Sequence, residues 1–126
     1  MKFFLFALLY IPIAVNAQTQ GGIRDELMNH FEMADQYDGL ALYGECIGEL
    51  DQVIEISQKY NLDETLIRAS IKKAEIFRKT QNFDTGITLL ESLEKIERYP
   101  RLHVQKLGRL AALYAENGAL DAKTRN

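Results

Sequence analysis

The sequence comprises 126 residues with a formal net charge of −3, and 47% of the residues are hydrophobic while 26% are charged. Such a length and composition predict one folded domain and argue against intrinsic disorder. The acidic balance argues against nucleic acid as a partner, because affinity for a duplex comes mainly from cationic side chains that neutralise phosphates.

Residues 1–17 have the pattern of an export signal. A run of thirteen apolar residues follows Lys2, and small residues precede a cleavage point after Ala17. As a helix this run would rise about 20 Å, which is short of the roughly 30 Å hydrocarbon core of a bilayer. The alternatives are an uncleaved membrane anchor and a buried core helix. We expect a cleaved signal, a mature chain that starts at Gln18, and a periplasmic or secreted protein without a membrane span after cleavage.

The mature chain reads as successive helices with no strand pattern. Residues 18–22 are polar and contain glycine, which predicts a disordered lead-in. A first helix is expected over about residues 23–37, a turn at Asp38 and Gly39, and a second helix over about residues 40–60.

Two further helices form the central pair, and Thr80-Gln81-Asn82 separates them. Pro100 suits the first position of a fifth helix, since its missing N–H would be unpaired there in any case. Asn117 and Gly118 predict a left-handed cap at the end of that helix. A sixth helix would begin at Ala119, with room for barely one turn.

One spacing of small and large residues, here called the repeat frame, occurs three times. Small residues let two helices approach closely, and the large ones fill the space around that contact. Its members are Ala34, Tyr37, Tyr43, Cys46, Leu50 and Val53; Ala74, Phe77, Phe83, Gly86, Leu90 and Leu93; and Ala111, Tyr114, Gly118 and Leu120.

The repeat frame resembles the tetratricopeptide repeat, a 34-residue helix-turn-helix unit. The resemblance spans roughly residues 22–124. It implies an all-α superhelix, a solenoid of about three helical hairpins with the last incomplete, in a helical domain over residues 23–124. The leading alanines are 40 and 37 residues apart. We therefore expect the residues in excess of 34 to lie in the loops that join the hairpins.

In this family, ligands lie along the concave face formed by the first helix of each hairpin. The resemblance therefore implies a peptide or helix groove with an apolar floor and a cationic centre. The alternative is a solvated face with ion pairs such as Glu75 with Arg78 or Lys79. The predicted groove residues are Phe31, Asp35, Arg68, Ile71, Glu75, Arg78, Lys79 and Gln105, and Met28, Asp38, Gly108, Ala112 and Glu116 share the face.

We predict no catalytic residue, cofactor or metal site. Cys46 is the only cysteine, so it is interpreted as a packed thiol, with an intermolecular disulfide as the alternative. His30 and His103 have no ligand spacing around them and are expected on the surface or in the groove. The sequence has no phosphate-cradling glycine loop, nucleophile elbow or metalloprotease motif.

Short hairpin repeats after an export signal resemble the N-terminal sensor regions of bacterial envelope histidine kinases and related regulators. The leading hypothesis is an exported protein–protein interaction module, not an enzyme, that serves as the N-terminal sensory input of a signal-transduction protein. One alternative is a free-standing secreted scaffold that self-associates through its C-terminal face. Another is a small helical enzyme or ligand carrier that uses His30 or His103. The expected partner is a protein or peptide.

Overall fold

The computed structural model describes the backbone of residues 2–125 and the side chains of residues 21–124. Throughout this range the regular elements are helices, and each packs against the next in chain order, as an all-α helical superhelix requires. The elements are α1 (Lys2–Gly39), α2 (Tyr43–Lys59), α3 (Asp63–Lys79), α4 (Phe83–Glu91), a 3₁₀ turn (Ile96–Arg98) and α5 (Pro100–Arg125). The expected fold class is confirmed. The side chains of residues 1–17 lie outside the described range, so the signal peptide stays a prediction, as does the lead-in at 18–22.

The first three turns share one conformation. Ala41, Asn61 and Gln81 have φ values of 57°, 56° and 62°. In each turn the next residue donates its N–H to the carbonyl five residues back, at 2.8 Å. This is the Schellman ending, which satisfies carbonyls that a helix terminus leaves unpaired. The turn expected at Asp38 and Gly39 therefore lies slightly later, because Ala41 takes the left-handed position and Gly39 stays helical.

The residues in excess of a 34-residue repeat lie partly in the helices. The connection between α2 and α3 has only three residues, 60–62, while α2 and α3 have 17 residues each. The expectation of a long loop at this junction is wrong, because a Schellman turn reverses the chain within three residues and the helices take up the rest. Between α4 and α5 the connection is longer, spans residues 92–99 and contains the 3₁₀ turn.

Helix α3 lies at the centre of the domain and contributes to both clusters of the hydrophobic core. Ala69 and Ile76 pack towards α1 and α2, whereas Ile67 and Ala74 pack towards α4 and α5. The first cluster consists of Leu27, Ala34, Cys46, Leu50, Val53, Ala69 and Ile76. The second consists of Ile67, Ile71, Ala74, Phe83, Ile87, Leu90, Ile96, Leu102 and Leu113.

The repeat frame fails in the third repeat. Ala111 and Tyr114 are exposed, Tyr114 at 54%, whereas Leu113 is 1% exposed. A Cβ atom built on Gly86 of α4 would lie 3.2 Å from Leu113 Cδ2, so Leu113 occupies the helix crossing. The physical reason is that α5 packs against α3 and α4 on the face that carries Leu113, whereas Ala111 lies on a side of the helix that stays exposed.

Helix α5 also continues past its predicted end. Gly118 is exposed and helical, no glycine of the described chain has a positive φ, and the helix ends at Arg125. The predicted left-handed cap at Asn117 and Gly118 is therefore wrong, and so is the sixth helix. A glycine costs only about 1 kcal/mol within a helix, and the nearby Ala115, Ala119 and Ala122 favour helix continuation. The third repeat of the described chain is a single helix.

Candidate functional site

A concave groove of about 680 Å³, here called the central groove, crosses α1, α3 and α5. Its floor is apolar, formed by Met28, Phe31 and Ile71. It brings together seven of the eight predicted groove residues, and Arg78 lies beside it. The lining residues are Met28, Phe31, Glu32, Asp35, Asp38, Arg68, Ile71, Lys72, Glu75, Lys79, Gln105 and Arg109.

Ion pairs join α1 to α3 across this groove. Lys72 Nζ lies 2.6 Å from Asp35 Oδ1 and 3.6 Å from Asp38 Oδ2. Lys79 Nζ lies 2.7 Å from Asp38 Oδ1. The hydrogen bond from Lys79 and the charges of both lysines hold the pKa of Asp38 below its ordinary value, although partial burial opposes them. Both lysines are thus engaged by carboxylates of the neighbouring helix.

A second set of ion pairs joins α3 to α5. Arg78 Nη2 lies 2.6 Å from Glu75 Oε1, and Arg78 Nη1 lies 2.9 Å from Glu116 Oε1. Arg109 Nη1 lies 3.5 Å from Glu75 Oε2. Burial alone would raise the pKa of Glu75, but the hydrogen bonds from Arg78 and the charge of Arg109 hold it below its ordinary value. The carboxylate of Glu75 therefore stays ionised at neutral pH.

The expectation that the centre of the groove is cationic is wrong. The lining carries four acidic and four basic side chains, and Lys72, Lys79 and Arg109 all contact carboxylates. Within α3, Glu75 pairs with Arg78, as the spacing predicted. The carboxylate partners of Lys72 and Lys79 come from α1, far away in sequence. Sequence reasoning missed Glu32, Lys72 and Arg109. Lys72 could have been found, because it follows Arg68 by four residues and precedes Lys79 by seven, which is one helix face.

A second cavity of about 610 Å³, here called the N-terminal pocket, adjoins the groove. Arg24 and Arg68 stand at its edge, and it shares Met28, Phe31 and Arg68 with the groove. Arg68 is 62% exposed, and among the described side chains it forms an ion pair with Glu64, at 3.4 Å, while Arg24 forms none. The apolar lining comprises Ile23, Leu27, Met28, Phe31, Tyr60 and Leu62. The available positive charge lies here rather than at the groove centre.

The cysteine and the two histidines are the remaining candidates for chemical activity. Cys46 is fully buried, and burial raises the pKa of its thiol, which keeps it protonated and unreactive. His30 Nδ1 lies 2.5 Å from Glu49 Oε2 and joins α1 to α2. His103 is half-buried on α5. Within residues 21–124 no three side chains are arranged to hold a metal ion.

No family model, no curated protein and no solved structure matches this chain. In the part of the chain that the structure describes, none of the helices is sufficiently long and apolar to cross a membrane. The function must therefore be inferred from the groove and the pocket themselves.

Proposed function

We propose that this chain is an exported, tetratricopeptide-like module that binds a peptide segment of another protein. The observation that supports the proposal is that the central groove and the N-terminal pocket are joined and share an apolar surface formed by Met28 and Phe31. Met28 is 56% exposed and, with Phe31, belongs to the apolar surface shared by the two cavities. Contiguous apolar surface of this kind marks an interaction site. The N-terminal pocket is lined mainly by apolar side chains with a few polar groups, and such a lining is typical of ligand sites.

The distribution of charge indicates the chemistry of the peptide. A charged peptide residue at the groove centre would have to compete with the ion pairs of Asp38 and Glu75. At the N-terminal pocket it would meet Arg24 and the exposed end of Arg68 instead. Arginine binds carboxylates well because its planar fork can donate two parallel hydrogen bonds. We therefore expect a peptide in which an apolar side chain lies next to an acidic one.

Export and a sensory role belong to the same proposal. The support for export is the pattern of residues 1–17, and the support for a sensory input is the resemblance of exported hairpin repeats to the N-terminal regions of envelope sensor kinases. In that context the module needs neither a catalytic residue nor a cofactor. Expression of the full chain with mass analysis of the product tests export: a chain that begins at Gln18 outside the cytoplasm supports it, and one retained inside with Met1 contradicts it.

Peptide display against the purified chain tests the binding site. Selected peptides are then titrated by fluorescence anisotropy against wild type, Arg68→Glu and Met28→Asp. We expect each substitution to weaken binding about tenfold, which corresponds to about 1.4 kcal/mol.

The matched control is Arg101→Glu, which makes the same charge change at an exposed site on α5 outside both cavities. It should leave binding unchanged. Selected peptides that bind Arg68→Glu and Met28→Asp as tightly as wild type would overturn the proposed site, whatever their sequence.

A further inference from the structure

The two joined cavities offer a ligand side chains rather than backbone groups. Every residue that lines the central groove lies within α1, α3 or α5. Inside a helix the backbone N–H and C=O groups bond to one another, so these walls have few backbone partners to give. The N-terminal pocket adds Tyr60 and Leu62 from the turn between α2 and α3, and the N–H groups of both donate to carbonyls of α2.

Most polar side chains of the central groove are engaged with each other. Lys72 and Lys79 contact carboxylates of α1, and Arg109 contacts Glu75. Among the described residues, Gln105 is the only amide side chain that lines either cavity. A main chain laid on the apolar floor would therefore meet apolar and ion-paired side chains, with few groups to which its own N–H and C=O could bond.

Extended and helical ligands differ in what they require from such a surface. On an extended segment, the N–H and C=O groups that face the wall lose water and need partners, and a buried polar group without one is costly. A helix pairs its own backbone groups and needs only an apolar stripe on the side that it buries. The apolar floor and its ion-paired surroundings therefore favour a helix.

We infer that the occupant of the joined cavities is an amphipathic helix of another protein, with its apolar stripe on the floor of the central groove and a carboxylate at Arg68. This inference rests on the proposed function and adds the bound conformation of the peptide. Its basis in charge is the N-terminal pocket, whose described lining contains Arg24 and Arg68 and no acidic residue. The exposed end of Arg68 can donate two parallel hydrogen bonds to a carboxylate.

The shared lining fixes the spacing of the two recognition elements on the helix. Arg68 belongs to both cavities together with Met28 and Phe31, so the carboxylate and an apolar anchor must lie on one face of the ligand. On a helix, residues on one face are about three or four positions apart. On an extended segment they are about two positions apart, because successive side chains alternate between faces.

A proline substitution tests the conformation. The probe is the tightest peptide from the display experiment whose affinity falls on Arg68→Glu, labelled with fluorescein. It is remade with proline at one central position outside the apolar stripe, and with alanine at the same position as the control. We expect proline to weaken binding about a hundredfold, since it breaks a helix interior, and alanine to leave binding unchanged.

Moving the peptide carboxylate tests the spacing. The carboxylate is placed two, three or four positions from the apolar anchor in otherwise identical peptides. The helix predicts that a separation of two binds about tenfold more weakly than the better of the other two. This preference should disappear on Arg68→Glu and persist on Arg101→Glu.

The outcomes separate this inference from the proposed function. A central proline tolerated as well as alanine, or tightest binding at a separation of two, would overturn the helical partner and leave the peptide site in place, because the probe already depends on Arg68. Failure of the site itself has a different signature. No selected peptide would then lose affinity on Arg68→Glu or Met28→Asp, and both the site and the helical partner would be overturned.

Discussion

The α3–α4 pair and helix α5 carry the same spacing of small and large residues but use it differently. In α3–α4 the frame residues Ala74, Phe83, Gly86 and Leu90 are all buried. In α5 the corresponding Ala111 is exposed. A small residue in a repeat therefore indicates a helix crossing only where a second helix lies against it. The difference shows that the spacing describes a pair of helices rather than a single one.

The connections explain how α5 comes to present a different face. The α3–α4 turn is a Schellman ending centred on Gln81, whereas α4 ends early at Glu91 and a longer connection with a left-handed Lys95 follows. Helix α5 then packs on both α3 and α4. Leu113 fills the space beside Gly86, and the ion pair of Arg78 with Glu116 fixes the adjacent side of α5.

The largest difference in stability is expected between two leucines of α5, one buried and one exposed, when each is replaced by alanine. Leu113→Ala removes a buried side chain and is expected to lower the free energy of unfolding by about 2–5 kcal/mol. Leu107→Ala shortens a side chain of the same helix that is 54% exposed and should change it by less than about 0.5 kcal/mol. Urea unfolding at low protein concentration measures both. Equal losses would mean that the two faces of α5 are not distinct.

A smaller difference in stability is expected when Ala74 and Ala111 are each replaced by leucine. Ala74 is fully buried, so Ala74→Leu overpacks the crossing of the central pair and is expected to cost about 1–3 kcal/mol. Ala111→Leu adds the same atoms to an exposed position and should be nearly neutral. Thermal unfolding compares them, and an unchanged melting temperature for Ala74→Leu would remove Ala74 from any helix crossing.

The ion pairs of the groove predict a modest dependence of stability on pH. The pKa values of Asp38 and Glu75 are lower in the folded chain than their ordinary values. Carboxyls of this kind stabilise the fold fully above their unfolded pKa values, about 3.9 and 4.3, and the stabilisation is lost as the pH falls through the folded values. The melting temperature of wild type should therefore fall below about pH 4.

The double variant Asp38→Asn with Glu75→Gln should lose stability at neutral pH and show a smaller fall in acid. Glu64→Gln is the control, since Glu64 is an exposed carboxyl with a weak partner. Melting curves measured at a series of pH values compare the double variant and the control with wild type. A double variant whose acid-induced fall equals that of wild type would show that these two carboxyls do not couple folding to pH.

The all-α fold and the central pair could be predicted because those features depend on helix periodicity. Most of the groove lining followed instead from the resemblance to the tetratricopeptide repeat, mapped through the repeat frame, and Phe31, Ile71 and Glu75 are three of the lining residues predicted in this way. The pair of Glu75 with Arg78 within α3 follows from its spacing and is present. The partners on other helices could not be predicted, because they depend on how one helix is rotated against the next. Lys72 pairs with Asp35 and Asp38, which lie 37 and 34 positions earlier in the chain, and no local sequence pattern predicts contacts over such a separation.

The third repeat could not be predicted for a different reason. Glycine is common at helix caps, but Ala115, Ala119 and Ala122 near Gly118 favour helix continuation, and no left-handed residue interrupts α5 there. The choice between Ala111 and Leu113 as the residue at the crossing depends on where α4 ends. That end is set by packing, which a one-dimensional spacing does not contain.

Helices α3, α4 and α5 meet at Gly86, where a Cβ atom would lie 3.2 and 3.3 Å from the methyls of Leu113 and 3.4 Å from the carbonyl oxygen of Ala74. A double-mutant cycle of Gly86→Ala and Leu113→Ala tests that meeting directly. We predict a coupling free energy of at least about 0.5 kcal/mol, because the added methyl group gains room only when Leu113 is shortened. Two substitutions whose effects simply add would show that α5 does not pack against this point of α4.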